Sequence, residues 1–236
     1  MTQAWLFDFG NTRLKGAPLV AGVVGDARAF APDDLAALPH GDVAYVASVA
    51  PEAHRVALLD ALSQRFRRIA IARTTARLGP LRIAYPEPHK LGVDRFLAMI
   101  AACATTPALV VGVGTALTID LIDANGQHLG GRIAPSPTLM RTMLHARAAQ
   151  LPIEGGAYTE FATDTEAALA SGCEGAAIAL VERSLAQATQ RLGTAPRVLM
   201  HGGGADPLRA HLQGVESRPA LVLEGLARWA ALETPA

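Results

Sequence analysis

Asp8, Gly10, Asn11 and Thr12 lie where an apolar run, Trp5 to Phe9, breaks into a turn ahead of Leu14. Strand, turn and strand with a carboxylate at the mouth is an arrangement that can hold a phosphate and its metal ion. The turn glycine bares backbone N–H groups to the anion, and the carboxylate serves the cation. An ordinary β-hairpin with an acid near its turn would read the same way. The pattern, however, recurs. Leu109 to Asp120 again runs from an apolar strand through Gly114-Thr115 into an alternating strand. With Gly10 set against Gly114, Phe9 falls on Val113 and Asp8 on Gly112, so the second copy keeps the turn and lacks the acid. Two phosphate-type hairpins about a hundred residues apart predict a duplicated α/β fold with a nucleotide in the cleft between its halves.

Other elements must position these hairpins. Val43 to Val49 is an unbroken apolar run ending near Pro51, the pattern of a strand covered on both faces. Val56, Leu59 and Leu62 give Glu52 to Arg65 a helical period, and Arg67 to Ala72 reads as another strand. The alternation predicts helices layered on a sheet. Between the hairpins, Gly92 marks a turn, Asp94 sits in the first turn of the helix that follows, and Phe96 to Ala104 continues it. A helix-start acid favoured by the macrodipole and a solvated Arg95 is the plainest reading of that pair. Its place between two phosphate-type hairpins argues for chemistry instead. Asp33 to Leu38 resembles a short capped helix. Beyond the second hairpin, Gly130 to Pro137 reads as an irregular loop and Thr138 to Gln150 as a helix. Thr165 to Leu192 reads as a helix with a glycine break, and Leu221 to Leu232 as the closing helix. Arg197 to His201 is the last clear strand. The glycines at 202–204 after it let another group approach the backbone closely, a nucleotide base or ribose being one candidate. His201 itself, a lone histidine at a strand end, reads as structural.

Composition narrows the classes. In 236 residues, half of them hydrophobic, there is material for a substantial core in one large domain or two lobes. Lys plus Arg balances Asp plus Glu at 21 each, without the basic excess a nucleic-acid surface needs. Cys103 and Cys173 form no C-x-x-C and read as reduced thiols of a cytoplasmic protein. No signal-peptide pattern is visible, and Phe96 to Ile119 reads as a buried helix followed by a buried strand rather than a membrane span.

Taken together, the motifs resemble a family. Asp8-Phe9-Gly10-Asn11-Thr12-Arg13-Leu14-Lys15, Tyr85 ahead of Gly92-Val93-Asp94-Arg95, and Gly114-Thr115-Ala116-Leu117-Thr118-Ile119-Asp120 follow the order of type III pantothenate kinases. Gly130 to Pro135, Asp164-Thr165 ahead of Ser171-Gly172, and Leu221 to Leu226 continue that order. Each motif alone is weak; the ordered set spans almost the whole chain.

The resemblance implies an actin-like ATPase fold of two ribonuclease-H-like lobes, residues 1–104 and 105–236. It implies ATP-dependent phosphorylation of the primary hydroxyl of pantothenate, the first step towards coenzyme A, by a cytoplasmic homodimer without nucleic-acid or membrane partners. Asp8, Phe9, Gly10, Asn11, Thr12, Arg13, Leu14 and Lys15 would hold the ATP phosphates, with Asp8 positioning Mg²⁺ through water. Thr115 would contact ATP from the second hairpin. Tyr85, Gly92, Val93, Asp94, Arg95 and Thr165 would line the pantothenate pocket, with Asp94 as proton acceptor. The same family includes a protein noticed as an accessory factor for virulence-gene transcription, so a non-catalytic regulatory role is the alternative. A phosphohydrolase or sugar kinase of the same superfamily is disfavoured by Tyr85 and the 92–95 set, which lie on the substrate side.

Two positions depart from the family pattern. Ser136 stands where a glycine usually follows the proline, and its Cβ is expected to shift the loop. Gly112 replaces an acid that helps bind an activating monovalent cation. Turnover in K⁺, NH₄⁺ or Na⁺ buffers is therefore expected to be similar; collapse of activity in Na⁺ alone would contradict this reading of Gly112.

Overall fold

The computed structural model describes residues 3–31 and 35–233. The chain divides into two compact units. One holds the chain up to Cys103, Gly126–His128 and the segment from Ala220 onward; the other holds Ala104–Asn125 and Leu129–Pro219.

The first unit begins with β1 (Ala4–Phe9), β2 (Leu14–Val20), β3 (Val23–Val24) and β4 (Arg28–Phe30). It continues through β5 (Gly41–Ser48), α1 (Glu52–Ser63) and β6 (Phe66–Ile71). Its sheet runs β3-β2-β1-β5-β6, with β4 also on β2. β1 and β2 are antiparallel, whereas β5 lies parallel to β1 and β6 parallel to β5. Phe7, Phe9, Leu14, Leu58, Leu62 and Phe66 fill its core, and the edge of Phe66 meets the face of Phe7 at 5.8 Å. A small ribbon, β7 (Arg77–Leu78) with β8 (Leu81–Arg82), precedes α2 (Val93–Ala102).

The second unit repeats the plan. β9 (Ala108–Val113), β10 (Ala116–Ile122) and β11 (His128–Pro135) lead to α3 (Pro137–Arg147) and α4 (Thr165–Leu192). β12 (Arg197–His201), α5 (Ala205–Arg209) and β13 (Val215–Ser217) complete it. Its sheet runs β11-β10-β9-β12-β13. Again the hairpin strands β9 and β10 are antiparallel, and β12 and β13 extend the sheet in parallel from β9. The duplication read in the two turns is thus a duplication of topology.

The last helix, α6 (Leu221–Glu233), belongs with the first unit, although sequence order alone grouped it with the second. It lies against α2, where Gly225 leaves room for the Leu97 carbonyl; a Cβ at 225 would collide with that oxygen. Arg228 Nη1 donates to the carbonyls of Ile100 (3.0 Å) and Cys103 (3.3 Å), satisfying the C-terminal end of α2.

Several expectations change. Gly130 to Pro137 is not an irregular loop. Through Pro135 it is the edge strand β11, whose residues alternate between covered and exposed, and an edge position tolerates its glycine pair and terminal proline. α4 runs unbroken through Gly172 and Gly175 for 28 residues. β13 follows the strand taken as the last. Asp33 and Asp34 lie outside the described residues, and the rest of that stretch is a 3₁₀ turn, Leu35–Ala37. Both cysteines are free thiols. Among the described residues no helix is long and apolar enough to cross a membrane.

Candidate functional site

β1 delivers Asp8 to the end of the first sheet, in register with Lys15 on β2 and Ala47 on β5. The hairpin turn then spans 10–13, and the Gly10 N–H closes it by donating to the Arg13 carbonyl at 3.0 Å. That glycine N–H is therefore not bared to a ligand, as the sequence suggested. Asn11, Thr12 and Arg13 form the exposed tip instead. Phe9 and Leu14 are core side chains at 2% and 0% exposure, so of the eight predicted nucleotide-binding residues these two offer only backbone.

α2 starts beside this sheet end. Asp94 lies in its first turn, where its Oδ1 accepts the Arg95 N–H at 2.9 Å. A Cβ at Gly92 would lie 2.6 Å from that same Oδ1, so the glycine is there for close approach rather than for an unusual φ. Val93 turns into the core. Arg95 is not the solvated charge of the plain reading: it is 6% exposed. Its guanidinium carbon sits 5.9 Å from the Tyr85 ring centroid, and Nη1 donates to the Tyr85 hydroxyl at 3.3 Å.

The electrostatics of Asp8 set this corner apart. Burial pushes its carboxyl up to about 7, the Asp94 charge pushes in the same direction, and Lys15 opposes them. Two carboxylates in one corner favour a proton or a cation between them. Among the described residues no three His, Cys, Asp or Glu side chains group as a metal cage. A Mg²⁺ ion held by one or two carboxylates, water and substrate phosphates needs no such cage, and the donor set fits that ion.

The structure therefore brings together Asp8 to Lys15, Tyr85 and Gly92 to Arg95 within the first unit. Thr115 and Thr165 belong to the second unit. Thr115 is at the exposed tip of the second hairpin, whose Gly114 N–H also closes its own turn, onto the Ala116 carbonyl at 2.9 Å. Ser136 does not push the neighbouring loop away: it is buried, donates to the Thr115 carbonyl at 3.0 Å and caps α3 by accepting from the Leu139 N–H. Thr165 is the exposed first residue of α4, capped by Asp164 through the Ala167 N–H at 2.8 Å.

His128 escaped the sequence reading. It is 1% exposed, its ring stacks on Tyr85 at 6.0 Å, and Nδ1 accepts the Ala84 N–H at 3.4 Å, across 44 residues of chain. It thereby steadies the tyrosine that holds Arg95. No local motif announces it. The cavity along α4, about 720 Å³ and lined by Tyr158, Phe161, Ser171, Glu182 and His211, contains none of the predicted site residues.

The family model for type III pantothenate kinase matches residues 5–187. The chain belongs to the type III pantothenate kinase family. A type III pantothenate kinase of Stenotrophomonas maltophilia is 57% identical over 234 residues, 96% of each chain. Among solved structures, a conserved Campylobacter jejuni protein assigned to the Baf family of transcriptional activators superposes with a TM-score of 0.67. It has 19% identity, with 96% of each chain covered. An archaeal actin homolog superposes with a TM-score of 0.54 at 8% identity, over 99% of this chain and 100% of its own. At those identities the likeness establishes the fold: this type III pantothenate kinase family member has the two-unit actin-like architecture.

The Asp8 shift has a sign that can be tested. Unfolded Asp8 loses its proton near 3.8 and folded Asp8 near 7, so between these values the folded state holds the extra proton. Native stability is then lost as pH rises from about 4 to about 7. Asp8→Asn removes the titration and is expected to be the more stable protein at pH 8. The gain should be on the order of 1–3 kcal/mol, growing between pH 4 and 7 and level above. Urea unfolding at pH 4.5 and pH 8 without divalent cations measures it; an equal difference at both pH values would refute the raised carboxyl.

Proposed function

We propose that this protein transfers the γ-phosphoryl group of ATP to the primary hydroxyl of pantothenate, yielding 4′-phosphopantothenate for coenzyme A synthesis. The observation that carries this reading is the corner of the first unit. There one carboxylate is suited to a metal, a second stands at a helix start, and an arginine is anchored on tyrosine.

The residues divide the work. Asn11 to Arg13 and the backbone around them face the phosphates, with Lys15 adding positive charge. Asp8 would hold Mg²⁺ through water, and the ion when bound would supply positive charge against the phosphates; the bridging P–O bond to the leaving ADP breaks as the γ-phosphoryl group is transferred. Asp94 accepts the proton of the attacking hydroxyl as its oxygen forms the new P–O bond. Its bond to the Arg95 N–H keeps it aimed. Arg95, its guanidinium buried against Tyr85, supplies a charge-assisted partner for the pantothenate carboxylate. In the second unit, Thr115 contacts the nucleotide from a turn fixed by Ser136, the 202–205 segment takes the adenosine side, and Thr165 is a pantothenate contact.

A homodimer is part of the same reading. α3 exposes Met143 and Leu144, which with Pro135, Met140, Leu169 and Cys173 line an apolar groove of about 420 Å³. Sedimentation equilibrium should give twice the chain mass, and Met143→Glu should shift it toward the monomer; a monomeric wild type would remove the dimer.

Coupled ADP-release assays with MgATP, with and without pantothenate, test the activity. Pantothenate-dependent ADP release is expected, and Asp94→Asn should lower turnover by roughly 10²–10⁴-fold with little change in stability. Near-normal turnover in that variant would remove Asp94 from the role. Absence of pantothenate-dependent release from the folded wild type would leave the regulatory reading.

A further inference from the structure

The two hairpins are one device with opposite electrostatics. In the first, Asp8 stands between Lys15 and Ala47. In the second, the matching place on β9 is Gly112, between Thr118 on β10 and His201 on β12. A Cβ at Gly112 would lie 2.7 Å from Thr118 Oγ1, 2.9 Å from His201 Nε2 and 3.1 Å from His201 Cε1. Real Cβ atoms essentially never come within 3.0 Å, so the imidazole edge and the Thr118 hydroxyl occupy the volume that a side chain at 112 would need. While the ring stays, no carboxylate fits there. The row that offers acceptor oxygens to a cation in the first unit offers an imidazole and a hydroxyl in the second.

His201 is also at the end of the sheet where a ligand would be met. β9 and β12 are parallel and finish together, and in open α/β sheets ligands lie beyond the carboxyl ends of the parallel strands. After His201 the chain folds over the end of β9. The Gly204 N–H donates to the Val113 carbonyl at 3.0 Å, and Gly202, at φ +100°, sits so close to that carbonyl that a Cβ would strike it. His201 remains partly exposed, while the neighbouring turn at Gly114-Thr115 is open to solvent. A ring packed on its glycine partner at a strand end, partly exposed and beside an open turn, lies where a ligand would be met.

We propose that His201 recognises phosphate at the second hairpin, an imidazole N–H donating to a phosphoryl oxygen of the nucleotide, and that residue 112 is glycine because the ring requires its space. This rests on ATP being the phosphoryl donor. His201, read from sequence as a structural residue, becomes a binding residue, and the place held by the Asp8 carboxylate in the first hairpin is taken by an imidazole donor in the second.

Calorimetric titration of the full chain with ADP, adenosine and pantothenate separates the possibilities. His201→Ala should weaken ADP binding by roughly 10–100-fold, the range of a charge-assisted hydrogen bond, and leave adenosine and pantothenate binding unchanged. His201→Gln keeps an N–H donor and should stay within about fivefold of wild type for ADP. If His201→Ala does not fold, Gly112→Ala replaces it. That substitution displaces the ring without removing it and should also weaken ADP selectively. Unchanged ADP affinity, or equal losses for ADP and adenosine, would overturn the assignment. Failure of the wild type to bind ADP would instead overturn the kinase reading on which it rests.

Discussion

Desolvation of one carboxylate, Asp8, with the charge of Asp94 added to it, sets the chemistry of the first unit's ligand corner. Asp8 is carried at the end of β1, where its ionised form is poorly solvated, and Asp94 adds negative charge from the start of α2. Neither acid can move far. Asp8 is fixed by pairing on both sides of β1, and Asp94 by its bond to the Arg95 N–H and by the close approach that Gly92 permits. The corner therefore carries electrostatic strain that a divalent cation and its phosphates would relieve. Packing supplies the rigidity: α2 is buried almost throughout and closed at its far end by Arg228 from α6. The closing helix thus serves the acid at the opposite end of α2, which explains why it packs with the first unit.

Duplication supplies the second constraint. Both units use an antiparallel hairpin with parallel strands added beside its first strand. One position at the hairpin mouth then decides the chemistry of each copy. The first copy sets an acid opposite alanine, and the second sets glycine opposite histidine.

Much of this was legible in the sequence. The turns at Gly10 and Gly114 and the missing acid at Gly112 are local patterns, and period and capping gave most helices and strands. Asp94 was visible as a helix-start acid. What failed was what depends on distant chain. Arg95 looks solvated until Tyr85 folds over it. His128 has no local signature, since its role comes from a stacking partner far back in the chain. Ser136 looked disruptive because its bond to the Thr115 carbonyl joins segments apart in sequence. The strand β11 was hidden by its glycines, which signal a loop unless a neighbouring strand supplies the pairing. Gly112 and His201 are far apart in sequence; only the register of β9 and β12 makes them one feature.

Asp8 sits partly buried beside a second carboxylate, in the corner proposed for a metal-bound phosphate. Carbon-13 NMR titration of aspartate-labelled protein, with Asp8→Asn to assign the resonance, tests it most directly. Without divalent cations Asp8 should titrate near 7, and saturating Mg²⁺ with ADP should drive it down towards or below the ordinary carboxylate range. An Asp8 that titrates near 4 in the free protein and ignores Mg²⁺ and ADP would contradict the account.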